Sequence, residues 1–339
     1  MHLYCKPNAL PQKKQNELFY RYGFFFAMLF CMSLATVQPY LGGTIGIASG
    51  NFIFWYFVAP LTYLEAGLLC TPRSLYAALK NGYQLIFVMV FMYAVMPFLA
   101  KIGTWLLIHS KVNIWLLKGM EVLYCMPPPF TSSLALCQLA QADLPTSVVT
   151  TLVGHFGGFL LSPILLYFVL GASTPPLVGV NVKEIICSTL VPLIVGIIMQ
   201  FFVVSPKTYS IIGIGRYSQG LLLIIAYYWF SDAVSADVSS LQATDILLCI
   251  LIACIEQLFT CFLYWTLCSR WLPKNILLAG LFASTNKSVG LGGWILRSTY
   301  HGSAQGPAVN LPLSILPVAQ LLLGTLLACW IAPQFSLKN

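Results

Sequence analysis

The sequence predicts an all-α polytopic membrane protein with ten transmembrane helices, and three observations support this prediction. Of the 339 residues, 59% are apolar and only 8% are charged, and the mean hydropathy is +0.84. A soluble domain carries about a quarter charged residues. Apolar runs of about 20 residues, long enough to cross the hydrocarbon core of a bilayer, recur along the chain. Most basic residues lie in the short segments between those runs.

The first half of the chain contains five predicted spans after an N-terminal tail at residues 1–20. The first span is rich in Phe and Met, and a glycine-rich turn separates it from the second, which ends at Thr71-Pro72-Arg73. Small residues in the fifth span, at Gly154 and Gly158, have the four-residue spacing that lets helices approach closely. The five spans are expected at residues 21–38, 51–70, 84–108, 114–141 and 146–171.

The second half contains a matching series of five spans. The chain therefore divides into five-helix repeats at residues 21–171 and 172–332, with a C-terminal tail at 333–339. Because each repeat has an odd number of spans, the second is expected to be inverted in the membrane relative to the first. Its spans are expected at residues 181–204, 216–234, 244–268, 272–298 and 310–332. The fourth and ninth spans, which hold matching places in the two repeats, are both interrupted.

The basic residues predict the orientation of the chain. With the N-terminus in the cytosol, the external segments hold only Lys101, Lys111, Lys183 and Arg297. The cytosolic segments then hold a larger set: Lys6, Lys13, Lys14, Arg21, Arg73, Lys80, Lys207, Arg216, Arg270, Lys274 and Lys338. Positive residues concentrate on the cytosolic side of membrane proteins. Both termini are therefore expected to be cytosolic, in a multi-pass protein of the plasma membrane or of a secretory-pathway membrane.

Three consecutive prolines, Pro127, Pro128 and Pro129, interrupt the fourth span. Proline has no backbone N–H and clashes with the preceding turn, so a helix cannot continue through this run. A broken backbone within a bilayer is tolerated only where it is buried in protein or lines a wet cavity. The ninth span is interrupted by a polar and glycine-rich stretch from Ala283 to Gly293. A matching pair of interrupted spans indicates a transporter's binding site.

The positive ends of broken helices favour an anionic solute at such a site. The candidate binding residues are Pro128, Pro129, Thr131, Ser132, Ser133, Thr150, Ser284, Thr285, Asn286, Lys287 and Ser288. The expected partners are the lipid bilayer, a small anionic molecule as substrate, and, left open, a coupling ion.

Composition and motifs argue against several other function classes. The net charge of +8 comes without a basic patch interleaved with aromatic residues, so no nucleic-acid binding is expected. The eleven cysteines are scattered through apolar runs without a Cys-x-x-Cys pair, which favours small buried side chains over metal ligands or disulfides. No nucleophile–base pair or metal cluster is evident, so we expect no enzyme activity, no cofactor and no firm metal site.

Five stretches carry a family resemblance: Trp115–Gly119, Cys125–Pro129, Phe159–Leu166, Val191–Gly196 and Ser284–Ser288. At these residues the chain resembles the bile acid:sodium symporter family, solute carrier family 10, and within it the branch of the seventh member. The resemblance implies a core domain of spans three, four, five, eight, nine and ten and a panel of spans one, two, six and seven. Substrate would bind in the cleft between them, and rocking of the two domains would give alternating access.

The resemblance also implies a sodium site, which is altered here. In sodium-coupled members a Ser-Asn pair after the first break supplies ligands, and this chain has Ser132 and Ser133. A threonine of the fifth span matches Thr150. The ninth span of those members supplies a Glu and, four residues on, a Gln, whereas this chain has Ser284 and Ser288. The degenerate site has therefore lost its carboxylate.

Lys287 lies between those two serines. A charge at membrane depth costs about 2.5–3.5 kcal/mol on insertion scales, so it normally has a partner or a function. We hypothesise that the Lys287 ammonium replaces the missing sodium, held by Ser132, Ser133, Thr150 and nearby backbone carbonyls. Transport would then be independent of sodium, with a link to protons left open, since burial readily shifts the pKa of a lysine. The alternative is a lysine at a helix end that snorkels to the membrane surface.

Other polar residues within the spans are secondary candidates. Glu65 is expected either to face the cleft or to cap the interface, and Glu256, in the middle of the eighth span, is a functional candidate because of its depth. His155 is expected to be packed and hydrogen-bonded rather than to relay protons. Lys118 and Glu121 are three residues apart and are expected to form a local ion pair.

Two functions follow from these observations. The first is a secondary transporter of an organic anion, with its site where the fourth and ninth spans cross. The second is a membrane protein without transport, or with weak transport, that regulates cellular calcium homeostasis. This second function is implied by the resemblance, because that branch is associated with the control of cellular calcium.

Overall fold

The computed structural model describes residues 14–41, 54–110, 112–129, 131–170, 186–202, 217–235, 241–288, 303 and 305–336. All regular secondary structure in these ranges is helical. The all-α prediction is therefore confirmed for this part of the chain. The glycine-rich stretch Val289–Gly293 lies outside the described residues, as do eight of the basic residues that predict the orientation: Lys6, Lys13, Lys111, Lys183, Lys207, Arg216, Arg297 and Lys338.

Seven helices make up the first half of the described chain. They are α1 (Lys14–Val37), α2 (Ala59–Leu69), α3 (Pro72–Lys80), α4 (Gly82–Leu107), α5 (Ile114–Tyr124), α6 (Ser132–Leu139) and α7 (Leu144–Leu170). A π-helical turn at Phe54–Val58 leads into α2, and a second π-helical segment, Phe91–Val95, lies inside α4. Helix α1 begins at Lys14, within the segment that was expected to be a tail.

Five further helices make up the second half of the described chain. They are α8 (Leu190–Phe202), α9 (Tyr217–Val234), α10 (Ala243–Cys268), α11 (Lys274–Thr285) and α12 (Gly306–Ser336). Helix α12 extends to Ser336, beyond the predicted end of the tenth span.

The connection predicted between the second and third spans contains helix α3. Its start is fixed locally, because the Thr71 hydroxyl accepts a hydrogen bond from the Ser74 N–H at 3.2 Å and Pro72 occupies the first helical position. This combination of an N-cap hydroxyl and a first-turn proline is a common start of a helix. The nine-residue helix packs against α7.

Three described helices are long and apolar enough to cross a membrane: Gly82–Leu107, Ala243–Cys268 and Gly306–Ile331. Helix α7 is bent by 55° between Leu144–Gly158 and Leu160–Val169, and it gives a fourth span if the bent pair counts as one. Shorter apolar helices occur at Gly23–Val37, Tyr56–Leu69, Ile186–Gln200 and Gln219–Ser231. The chain is thus a multi-pass membrane protein, while the number of ten spans stays a prediction.

The helices pack in pairs that are distant in sequence. Helix α1 packs against α9, α2 against α8, α5 against α12, and α7 against α11. Between α2 and α8 the backbones approach closely, because a Cβ added at Gly196 would lie 2.9 Å from the Leu68 nitrogen and one at Gly67 would lie 3.1 Å from the Gly196 Cα. Glycine at both positions lets the two helices touch without a side chain between them.

Candidate functional site

The two interrupted segments meet in the structure. Helix α5 ends at Tyr124 and α6 begins at Ser132, so the proline run breaks the helix as predicted. Helix α11 ends at Thr285, and the backbone N–H of Ser288, three residues later, donates to the Pro127 carbonyl at 2.8 Å. The Ser133 hydroxyl adds a second link by donating to the Phe282 carbonyl of α11 at 3.0 Å. We call this meeting point of residues 125–129 and 131 with residues 286–288 the crossing.

The carbonyl groups of the first break accept hydrogen bonds from other parts of the chain. The Cys125 carbonyl accepts from the Ser162 hydroxyl of α7 at 2.7 Å, and the Met126 carbonyl accepts from the Lys287 ammonium at 3.2 Å. The Pro127 carbonyl, the third of these groups, accepts the hydrogen bond from the Ser288 N–H described above. A buried carbonyl without a donor is costly, so these three donors stabilise the broken backbone.

Lys287 is buried at the crossing, with 1% of its surface exposed. Its ammonium donates to the Met92 carbonyl of α4 at 2.9 Å as well as to Met126, and it lies 5.8 Å from the centre of the Tyr93 ring. This distance is within the range of a cation–π contact. The expectation that Lys287 snorkels to the surface is therefore wrong.

The π-helical segment of α4 explains why the Met92 carbonyl is free to bind Lys287. The Met96 N–H donates to the Phe91 carbonyl, five residues back, which is the π-helical pattern. The next donor in this pattern would be residue 97, which is a proline and has no N–H. The Met92 carbonyl is thus free to accept a hydrogen bond from the Lys287 ammonium.

Only neutral oxygens hold the Lys287 ammonium among the described residues. The ion pairs in this part of the chain are Lys101–Glu121 at 3.2 Å and Lys118–Glu121 at 3.4 Å, and neither involves Lys287. An ammonium has three protons to donate, and two of them are directed at carbonyls. The third has no acceptor among the described protein groups.

Two of the hydroxyls that were expected to hold the ammonium bind other groups, whereas backbone carbonyls do hold it. Ser133 donates to Phe282, and Thr150 donates to the Thr146 carbonyl of its own helix at 2.7 Å. Ser132 and Thr131 are buried at the start of α6, and the Thr131 hydroxyl has no hydrogen-bond partner among the described residues.

The remaining predicted residues of the ninth span are also buried near the crossing. The hydroxyls of Ser284 and Thr285 both donate to the Leu281 carbonyl, at 3.3 Å and 2.8 Å. The Asn286 side chain oxygen accepts from the Gln257 amide of α10 at 3.1 Å. Ser288 takes part through its backbone, as described above.

Sequence reasoning missed Gln257 and Gln320, which join α10 and α12 to the crossing. The Gln320 side chain oxygen accepts the backbone N–H of Lys287 at 3.1 Å. Three buried amide atoms here have no partner in the described structure: Asn286 Nδ2, Gln257 Oε1 and Gln320 Nε2. The signal that could have identified the two glutamines is their position as polar residues within long apolar helices.

The proline run packs closely against glycines of α7. A Cβ added at Gly154 would lie 2.7 Å from Pro128 Cγ, and one added at Gly158 would lie 2.9 Å from Pro127 Cβ. The Tyr93 hydroxyl donates to the Gly154 carbonyl at 2.6 Å and so joins α4 to the same surface. His155 is buried within this stretch of α7, with 3% of its surface exposed.

The carboxylates among the secondary candidates lie in different places. Glu65 is buried on α2, which packs mainly against α8. Glu256 faces α4 at Gly103, where an added Cβ would lie 3.2 Å from Oε1. The predicted pair of Lys118 and Glu121 is present at 3.4 Å.

Comparison with known proteins places the chain among transporters. A model of the SBF-like CPA transporter family matches residues 22–332. The chain is 27% identical over 308 residues to sodium/bile acid cotransporter 7 of Rattus norvegicus, and 26% identical over 307 residues to that of Xenopus tropicalis. Both alignments cover 90% of this chain and 90% of the relative. The resemblance and the branch predicted from the motifs are therefore confirmed.

Proposed function

Because the chain belongs to the SBF-like CPA transporter family, we propose that it is a secondary-active transporter of an organic anion that works by alternating access without sodium. The observation that supports the absence of sodium coupling is the Lys287 ammonium, which is buried at the crossing and bound by two backbone carbonyls. Backbone carbonyls are among the oxygen ligands that hard cations prefer. The ammonium thus occupies a place suited to a cation.

A tethered cation has a consequence for energetics. A bound sodium ion enters and leaves with each transport cycle and so couples its own gradient to the substrate. Lys287 stays with the protein in every cycle. It therefore moves down no concentration gradient and supplies no driving force for transport. We therefore expect exchange with a second solute, whose gradient drives net movement of the substrate.

The ten-span inverted repeat is supported by the way in which the helices pair. We take α5 and α6 as the fourth span and α11 as the start of the ninth, and exchange each span with the one five places later. The α1–α9 pair then becomes the α8–α2 pair, and the α5–α12 pair becomes the α11–α7 pair. Such an exchange is what a two-fold axis in the membrane plane produces. In this scheme α1, α2, α8 and α9 form the panel, which moves against the core.

An anion fits the polar groups at the crossing better than a cation does. Asn286 Nδ2 and Gln320 Nε2 are buried hydrogen-bond donors without partners, and the Thr131 hydroxyl is also unpartnered. Among the described groups at this place, Gln257 Oε1 is an unpartnered acceptor, and the Thr131 hydroxyl can accept as well as donate. Helix α6 begins here at Ser132, and the N-terminus of a helix carries partial positive charge. The third Lys287 proton adds a further donor.

Uptake into proteoliposomes tests the proposed function. Purified protein is reconstituted, and the uptake of organic anions and sulfated sterols is measured with a sodium gradient and with sodium replaced by a large organic cation. The compared variants are Lys287→Met, which keeps a side chain of similar length without charge, and Lys274→Met, an exposed lysine of the same helix α11. We expect equal uptake with and without sodium for the wild type and for Lys274→Met, and loss of uptake for Lys287→Met.

Three results would contradict parts of this proposal. Uptake that requires sodium would contradict a tethered cation while leaving transport in place. Unchanged uptake by Lys287→Met would remove Lys287 from the mechanism. A folded protein that moves no anion of the panel would contradict the transport of an organic anion.

A further inference from the structure

Three charged side chains form a cluster away from the crossing. Glu121 of α5 is buried, with 1% of its side chain exposed, and it lies 3.2 Å from the Lys101 ammonium of α4 and 3.4 Å from the Lys118 ammonium. Lys118 also donates to the Val169 carbonyl near the end of α7, at 3.4 Å. We call these three residues the lysine cluster.

The lysine cluster has more positive than negative charge. One carboxylate compensates one ammonium, so the second ammonium is left without a counter-charge within the cluster. An uncompensated charge in the membrane is costly, and a compensating anion from outside the protein lowers that cost. The cluster is accessible to such an anion, because 57% of the Lys101 side chain and 29% of the Lys118 side chain are exposed.

Lys101 lies on the outward-facing stripe of α4. Phe98, Ile102 and Trp105 follow the helical spacing of this stripe and are 65%, 37% and 70% exposed. Lys101 is six residues before Leu107, the last residue of α4, which corresponds to about 9 Å along the helix axis. Trp105, one turn closer to the helix end, is of the residue type enriched at the headgroup level, so the exposed side chain of Lys101 lies about one turn from the headgroups.

We propose that the lysine cluster binds the phosphate headgroup of an anionic lipid in the leaflet that contains the C-terminal end of α4. The surplus ammonium compensates the phosphate charge, while Glu121 holds both lysines in place. The apolar side chains on either side of Lys101 pack against the acyl chains. A soluble anion would bind the same charge but would gain nothing from this apolar stripe, so a lipid is the better occupant.

The binding of two lipids to the purified full-length protein tests this site. Phosphatidylglycerol and phosphatidylcholine with identical acyl chains are compared by native mass spectrometry in detergent. Removal of one lysine charge by Lys101→Gln or by Lys118→Gln leaves a neutral cluster. Either variant is expected to reduce the preference for phosphatidylglycerol about fivefold, the effect of one lysine on an anionic lipid. Two variants are used so that the failure of one to fold does not end the test.

Two comparisons separate this site from general electrostatics. Glu121→Gln leaves two ammonium groups without a carboxylate, so the preference for phosphatidylglycerol should be kept or increased, whereas a purely structural role of the cluster predicts a loss. Lys80→Gln, at the end of α3, removes the same charge elsewhere and should change nothing.

The proposal is overturned if Lys101→Gln and Lys118→Gln keep the wild-type preference, or if Lys80→Gln loses as much as they do. Glycerol 3-phosphate, which has the headgroup charge without acyl chains, serves as the competitor. If glycerol 3-phosphate displaces phosphatidylglycerol at equal concentration, the site binds a soluble anion, and the proposal of a bound lipid is wrong.

Discussion

A methyl group added at Gly154 tests whether the glycines of α7 hold the proline break in place. The Cβ of Gly154→Ala would lie 2.7 Å from Pro128 Cγ and 3.0 Å from Pro128 Cδ, whereas ordinary contacts of a Cβ begin at 3.4 Å. The ring must therefore move by about 0.7 Å, the difference between 3.4 and 2.7 Å. It cannot do so by rotating a side chain, because a proline ring is closed on the backbone.

The size of the effect follows from two opposing contributions. Forcing an extra methyl group into a packed site costs about 1–3 kcal/mol. Alanine in place of glycine in a helix gains about 1 kcal/mol, which partly hides that cost. Gly157→Ala is a control on the same helix that has the same propensity gain, and the nearest atom to its Cβ is Met89 Cε, the end of a flexible side chain, at 2.9 Å. We expect Gly154→Ala to be less stable than Gly157→Ala by about 1–3 kcal/mol.

Thermal or denaturant unfolding of the purified protein in detergent measures this difference. A second background, Pro128→Ala, removes the ring atoms that the methyl group meets. In that background the free energies of unfolding of Gly154→Ala and Gly157→Ala should agree within about 0.5 kcal/mol, because the added methyl group no longer meets the proline ring. Equal stability of Gly154→Ala and Gly157→Ala in the wild-type background would refute the role of the glycine as a seat for the proline.

Two side chains that donate hydrogen bonds to broken or terminal backbone give further predictions. Ser162→Ala removes the donor to the Cys125 carbonyl and should lower the free energy of unfolding by about 1–3 kcal/mol, measured by denaturant unfolding; an unchanged midpoint would show that another group replaces the hydroxyl. Gln200→Leu removes an amide of α8 that donates to the carbonyls of Gly67, Leu68 and Cys70 at the end of α2. We expect a lower melting temperature and faster hydrogen exchange in α2 and α8, and exchange that stays at the wild-type rate would contradict this cap.

The elements that could be predicted from the sequence are those whose signal is local. Apolar runs predicted the helices, and the prolines predicted the end of α5, because proline excludes a continued helix whatever surrounds it. Lys118 and Glu121 were paired correctly because their three-residue spacing places them on one face of a helix. Helix α3 was missed because it has only nine residues, includes polar ones and contains no long apolar run.

Backbone carbonyls were expected near Lys287, but which ones bind it could not be predicted, because they are distant in the chain. The Met92 carbonyl is 195 residues away and the Met126 carbonyl is 161 residues away. Each is available for a separate reason: Met92 lies in a π-helical segment that is followed by Pro97, and Met126 lies in the break at the proline run. Side chain types indicated hydroxyls as ligands, since hydroxyls are visible in a sequence. A carbonyl that a helix leaves without a donor can be identified only when the register of the helix's hydrogen bonds is known. At these broken helices the ligands of the Lys287 ammonium are therefore determined by backbone geometry, not by side chains.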